Sequence, residues 1–214
     1  MRPASSDWRP VEEVAEVLSG FDRPWGIAGG WAIDLFLGRR TRAHEDVDVG
    51  VLRRDQRALR GYLPRWEFRK ATHRARGRLL AWPRDEWLDP PIHEVHVRSP
   101  RSEGSDFEIL LEESDGDRWR FRHHPSIERH LSDLTTSGAR DHPILRPEIV
   151  LLYKAKAPTA TDEADFRRTC PHLDDAARSW LASALTAVDP SSAWLPRLRR
   201  PFVKSADVRR TTFK

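Results

Sequence analysis

Two short stretches carry residues whose types and spacing suit chemistry on phosphate. The first is Gly29-Gly30, at the entry to an apolar, helix-forming run from Trp31 to Leu37. Without β-carbons, the backbone lets a phosphate approach closely. The free N–H groups of the first helical turn and the positive end of the helix dipole then hold it. The second is Asp46-Val47-Asp48, which opens a run through Val51 that alternates charged and apolar residues and then turns wholly apolar. That pattern predicts a strand. Side chains two apart on a strand share a face, so both carboxylates project together and repel unless a cation lies between them. Mg²⁺ favours such a place, because it takes one or two carboxylates and completes its octahedron with phosphate oxygens and water. Phosphoryl and nucleotidyl transfer depends mainly on positioning and charge neutralisation. Alone, a Gly-Gly pair is usually just a turn and Asp-x-Asp a solvated strand end. Together, with one helix and one basic turn between them, they are far more specific.

The elements that must position these residues are legible around them. Val11, Val14, Ala15 and Leu18 recur at helical spacing before Gly20. Gly38 is the expected C-terminal cap of the helix that Gly29-Gly30 opens, and Arg39 to Glu45 reads as a polar, basic turn. Asp55 is expected to cap a helix with Ala58, Leu59, Tyr62 and Leu63 inward, ended by Pro64. One strand is expected within Ala71 to Trp82. His93 to Arg98 and Asp106 to Leu111 are expected to pair as a hairpin through the polar link Ser99 to Ser105. Asp115-Gly116-Asp117 marks a turn into Arg118 to Arg122. From Pro147 the pattern is helical: one helix with Ile149, Leu152 and Tyr153 on one face, a second from near Thr161, and a third from Asp174 to Ala187. The reading is an α/β (α+β) chain with a catalytic domain over 1–124, a helical C-terminal region over 125–200 and a basic tail over 201–214.

Composition sets bounds. The chain has 214 residues, enough for a hydrophobic core without staples. The lone cysteine, Cys170, excludes an internal disulfide and a cysteine-built zinc site. Lys and Arg number 37 against 33 Asp and Glu, a net charge of +4 with the signs interspersed up to the last stretch, Arg197 to Lys214. A polyanionic nucleotide suits that balance as well as nucleic acid does. No run approaches the roughly 20 apolar residues that span a bilayer, and Met1 to Asp7 has no apolar core, so a cytoplasmic location is expected.

Gly29-Gly30-Trp31-Ala32-Ile33-Asp34, followed by Gly38-Arg39-Arg40-Thr41-Arg42-Ala43-His44-Glu45-Asp46-Val47-Asp48, resembles the opening of the antibiotic nucleotidyltransferases of the DNA polymerase β superfamily. The aminoglycoside 2″-adenylyltransferases come first in pattern and the lincosamide nucleotidyltransferases next. The match is dense from Trp25 to Val51. Residues 90 to 185, with Pro147-Glu148-Ile149, Lys154-Ala155-Lys156, Asp162 and Asp165-Phe166, resemble a broader set of bacterial relatives. The resemblance implies a small mixed sheet flanked by helices and followed by a helical region. It also implies a nucleoside triphosphate donor, with ATP first, and Mg²⁺. Family roles fall on Gly29 and Gly30 for the phosphates and on Asp46 and Asp48 for the metal.

A third carboxylate is also implied. Glu108 is chosen, inside its strand beside apolar neighbours where a free charge is costly, with Asp106 second and Glu94 third. Arg42 and His44, just before the metal strand, are expected at the triphosphate, and Lys154 is a further candidate for the nucleotide. Against these stand ordinary readings: Lys154 and Lys156 as the polar face of a helix, Asp162 and Asp165 as dipole partners, Asp34 as a partner for a basic neighbour, Trp31 as core and His123-His124 as a strand end. The expected reaction transfers AMP or another NMP to a hydroxyl of a small acceptor, aminoglycoside- or lincosamide-like. Asp85, Glu86, Asp89, Glu112 and Glu113 are the candidates for an acidic acceptor wall. The alternatives are a toxin-type enzyme that modifies tRNA or protein, with the basic tail on RNA, and a non-catalytic nucleotide-binding module.

Overall fold

The computed structural model describes residues 8–72, 78–100 and 106–199, so the basic tail expected at 201–214 and most of the expected Ser99–Ser105 link lie outside the described residues. In chain order the elements are α1 (Arg9–Leu18), β1 (Trp25–Ile27), α2 (Gly29–Leu37), β2 (Asp48–Leu52), α3 (Gln56–Tyr62), β3 (Glu67–Ala71), β4 (Leu79–Ala81) and β5 (Glu94–Arg98). There follow β6 (Phe107–Asp115), β7 (Arg118–Arg120), β8 (Glu128–His130), β9 (Thr135–Ser137), β10 (Pro143–Leu145), α4 (Pro147–Lys154), α5 (Ala160–Thr169), α6 (Asp175–Val188) and α7 (Leu195–Leu198).

Local chemistry fixes the helix ends. Pro147 opens α4, where its missing N–H is no loss. Gly38 closes α2 in the left-handed conformation, and its N–H returns to the carbonyls of Asp34 and Leu35. In α5 the Thr159 hydroxyl accepts from the Asp162 N–H while the Asp162 carboxylate accepts from the Thr159 N–H, a reciprocal cap. Asp174 caps α6 by accepting from the Ala177 N–H at 2.7 Å. The inner residues of α1 are Val11, Val14, Ala15 and Leu18, as their spacing predicts.

The strands form one mixed sheet in the order β4-β3-β5-β6-β2-β1-β10-β9, and β7 and β8 extend from β6. β2 runs parallel to β6 and antiparallel to β1, while β10 runs parallel to β1. The hairpin expected between the strands of residues 93–98 and 106–111 is present as antiparallel β5 and β6, with β6 continuing to Asp115. Helix α4 packs against α2 and α6, and the stacked rings of Phe166 and Trp194, 4.2 Å apart, tie α5 to the chain leading into α7. Among the described residues no helix is long and apolar enough to cross a membrane.

Three expectations are corrected. The single strand expected within residues 71–82 is two antiparallel arms: Ala71 ends β3 and Leu79–Ala81 form β4, with the Trp82 N–H donating to the Phe68 carbonyl at 3.0 Å. Asp55 stands at the N-cap of α3 but makes no side-chain cap bond. The region after residue 124 is not helical throughout. β9 and β10 extend the main sheet to Leu145, and only from Pro147 do helices follow one another. Three-residue strands carry too little alternation to register as a period.

Candidate active site

The site begins where β1 passes into α2. The Ala28 N–H donates to the Asp48 carbonyl at 2.8 Å, which fixes the glycine turn to the strand that bears the carboxylate. Gly29 has φ of +57°, a conformation that favours glycine, and a β-carbon there would overlap the Asp48 carboxylate. A side chain at Gly29 would therefore evict Asp48 from the helix entry. Gly30 has a different neighbour. A β-carbon on it would strike the Arg42 guanidinium and the His44 ring, so the basic turn lies directly over the first turn of α2.

Asp48 opens β2, while Asp46 stands exposed just ahead of the strand. Across the parallel ladder Asp48 is in register with Glu108, and the Glu108 N–H donates to the Val47 carbonyl at 2.9 Å. Burial, and then the Asp46 charge, push the Asp48 carboxyl up to about 6 against the pull of Lys154. Burial also pushes Glu108 up to about 7. His96 pulls it down, and Glu94, Asp48 and Asp46 push it further up.

The other two candidates for the third carboxylate separate cleanly. Asp106 is half exposed and stands just ahead of β6, where it accepts from the Ser99 N–H at 2.9 Å and faces Arg98 at 3.4 Å. Glu94 lies beside Glu108 through His96: the ring reaches Glu94 Oε1 with Nε2 at 2.8 Å and Glu108 Oε1 with Nδ1 at 3.0 Å. The ligand atoms of Glu94, His96 and Glu108 all lie within 4.8 Å of one another. His96 was not among the sequence candidates. The signal was the alternation Glu94-Val95-His96-Val97, which puts Glu94 and His96 on one face. Carboxylate oxygens placed this close are a hard-donor set that a divalent cation such as Mg²⁺ would suit, and Asp46, Asp48 and Glu108 are the residues that would hold it.

The basic residues divide. His44, expected at the phosphates, is turned inward. Its Nε2 lies 2.6 Å from Asp34 Oδ2, both side chains are buried, and its ring packs on Trp31 at 4.5 Å. The Thr41 hydroxyl donates to the other Asp34 oxygen at 2.6 Å. Burial works to raise Asp34, but the bonds from His44 and Thr41 outweigh it and hold the carboxyl below its ordinary value. Asp34 thus pairs with its basic neighbour, and Trp31 is core.

Arg42 and Lys154 instead converge on Asp165, whose side chain is 1% exposed, at 3.4 and 3.1 Å, with Arg168 on its other oxygen at 3.7 Å. Lys154 also meets Asp162 at 2.7 Å. Asp162 is the first-turn partner of the Thr159 cap of α5, while Asp165 does more than complement a helix dipole: it anchors the cations that face the glycine turn. Beside them opens a cleft of about 360 Å³, lined by Gly29, Leu110, Glu112, Arg122, Tyr153 and Lys154 among others. The expected acidic wall does not assemble. Glu86 is paired with Lys70 and Glu113 with Arg53, Asp85 and Asp89 are exposed, and Glu112 alone of the five faces this cleft.

The sequence pattern of the aminoglycoside-2″-adenylyltransferase family matches residues 10–133, more than half of the 214 residues. Curated 2″-aminoglycoside nucleotidyltransferases from Klebsiella pneumoniae and Escherichia coli are each 44% identical over 46 residues, 20% of this chain and 26% of theirs. The matched stretch thus spans about a quarter of those relatives. Two solved structures share the fold. The structure of ANT(2″)-Ia in complex with adenylyl-2″-tobramycin has a TM-score of 0.55 at 16% identity, covering 83% of this chain and 96% of that one. The lincomycin-bound lincosamide antibiotic adenylyltransferase LnuA has a TM-score of 0.50 at 17% identity, covering 74% and 93%.

Proposed function

Because the chain belongs to the aminoglycoside-2″-adenylyltransferase family, we propose that it is a Mg²⁺-dependent nucleotidyltransferase that moves AMP from ATP to a hydroxyl of an aminoglycoside- or lincosamide-like antibiotic. The observation that carries this reading is the in-register pair Asp48 and Glu108 beside the helix entry at Gly29. The first-turn N–H groups of α2, with Arg42 and Lys154, bind the triphosphate. His44 and Asp34 hold the turn that carries Arg42. Asp46, Asp48 and Glu108 would hold the cation, and Mg²⁺ bound there would supply charge neutralisation at the reacting phosphate. The acceptor hydroxyl gives its proton to a carboxylate of the cluster. Glu94, the more open of the two carboxylates flanking His96, suits that role. The acceptor oxygen then attacks the α-phosphorus in line and pyrophosphate leaves.

Comparison of three charge-removing variants tests the third carboxylate. Glu108→Gln is expected to slow transfer about a hundredfold, within the range of a lost acid–base or metal-binding group. Glu94→Gln, which removes the proton acceptor, should also slow it by about a hundredfold. Asp106→Asn, whose carboxylate is taken up by Ser99 and Arg98, should stay within twofold. Steady-state rates at saturating nucleotide decide the order, and Asp106→Asn as the slowest of the three would contradict the assignment.

The activity itself is tested by incubating the full chain with α-labelled ATP, GTP, CTP and UTP, Mg²⁺, and a panel of aminoglycosides, lincosamides and tRNA. Label on an antibiotic is expected. Label on tRNA alone would favour the RNA-modifying alternative, and label on no acceptor in the panel would favour a non-catalytic nucleotide-binding module.

A further inference from the structure

The cleft that Gly29 and Lys154 line is also lined by Glu112, Arg122 and Tyr153. Glu112 sits on β6 four residues beyond Glu108, so both side chains share a face. At about 3.3 Å per residue the two are about 13 Å apart along the strand. That span suits a nucleoside running from its α-phosphate to the edge of its base.

Glu112 is 1% exposed. One of its oxygens, Oε2, accepts from the Trp119 indole N–H at 2.7 Å and from the Tyr153 hydroxyl at 2.6 Å. The other, Oε1, is buried and has no hydrogen-bond partner among the described residues. Arg122 stacks over the Tyr153 ring at 4.5 Å, and its Nε and Nη1 are likewise buried without a partner among the described residues. Burial, with the Glu113 charge, holds the Glu112 carboxyl above its ordinary value, and the bonds from Tyr153 and Trp119 and the Arg122 charge offset only part of that rise. A buried acceptor and buried donors left unmatched in one wall each carry a desolvation penalty. A ligand edge that offers a donor beside an acceptor removes both penalties.

We propose that Glu112 and Arg122 read the base of the donor nucleotide, Glu112 accepting a hydrogen bond from the 6-amino group of adenine and Arg122 donating to a neighbouring ring nitrogen. This rests on the donor reading above and adds to it the residues that select the base. In the pose adenine takes, a 6-oxo group would set an oxygen against the Glu112 carboxylate, and such a base could offer its N1–H there only by shifting within the cleft. Sites built to bind a donor reject analogues that lack it far more strongly than apolar pockets reject a changed methylene.

The test is calorimetric titration of the full chain with the α,β-methylene analogues of ATP and ITP, which differ in this edge and need no acceptor substrate. The parent should bind the ATP analogue at least about tenfold more tightly than the ITP analogue, as expected for a hydrogen bond to a charged group. Glu112→Gln keeps an acceptor for Trp119 and Tyr153 but can present N–H donors to the ligand, so it should bring the ratio to about one or invert it. Arg122→Met should weaken both analogues, a second readout if the Glu112 variant folds poorly. A parent ratio within threefold of one, a parent preference for the ITP analogue, or an unchanged ratio in folded Glu112→Gln overturns the proposal while leaving the donor reading in place. Binding of neither analogue by the parent overturns both.

Discussion

Asp48→Asn is expected to lower nucleotidyl transfer by at least about 1,000-fold while the chain keeps its fold. A metal ion contributes several kcal/mol of transition-state stabilisation, and about 4 kcal/mol corresponds to roughly that factor. Asp48 is the carboxylate at the centre of the arrangement. It faces Glu108 across the ladder, lies against Gly29, and bonds the turn through its own carbonyl. The last contact is to the backbone, so the substitution leaves it intact. Asparagine also fills the same space without adding to the repulsion from Asp46. The metal-free variant should therefore unfold at a higher temperature than the parent, by about 2–4 °C for each kcal/mol of repulsion relieved. The sign follows from the raised carboxyl. Its ionisation opposes folding, a penalty absent below about pH 4, growing as pH rises toward 6, and fully present above it. Single-turnover rates and thermal unfolding in chelator check both halves. A variant with parental turnover at saturating Mg²⁺ would sink the metal assignment.

The second large effect is on stability. Asp165→Ala should destabilise the chain by about 3 kcal/mol and lower the unfolding temperature by about 5–10 °C. Its carboxylate is the buried counter-ion for Arg42, Lys154 and Arg168, and removal leaves the two arginines without it and Lys154 with Asp162 alone. Arg42 and Lys154 are partly exposed, with side chains at 29% and 14%, so solvent softens the loss below that of a fully buried pair. The same substitution releases the two cations at the helix entry and should weaken nucleotide binding. Urea unfolding at neutral pH is the check, and a midpoint within the error of the parent would mean that Asp165 anchors nothing.

What could be read from the sequence was local. The glycine pair, the Gly38 cap, the first-turn Pro147 and the run into β2 each follow from a few adjacent residues, and the fold has them where expected, except that β2 begins at Asp48 and leaves Asp46 in the bend ahead of it rather than on the strand face. What could not be read depends on register or on distant partners. Glu108 stood out by its position inside a strand, but its match to Asp48 depends on β6 lying parallel beside β2, sixty residues earlier in the chain. His44 looked like an open cation because its partner Asp34 lies on the far side of a helix end and a turn. Asp165 and Arg42 are 123 residues apart, so the chain between them gives no local sign that they meet. β10 slots beside β1 through only three residues, one of them proline, too short a run to show a period.

The chain is expected to transfer the nucleotidyl part of its donor rather than the terminal phosphate, and labelling the two ends of the triphosphate separately distinguishes these. The full chain is incubated with Mg²⁺, an aminoglycoside or lincosamide acceptor, and ATP labelled in parallel reactions on the α- or the γ-phosphorus. Label from the α-position alone should appear on the antibiotic, with γ-label recovered in pyrophosphate, and both signals should vanish in Asp48→Asn. Transfer of γ-label to the antibiotic, or transfer undiminished in Asp48→Asn, would contradict the account.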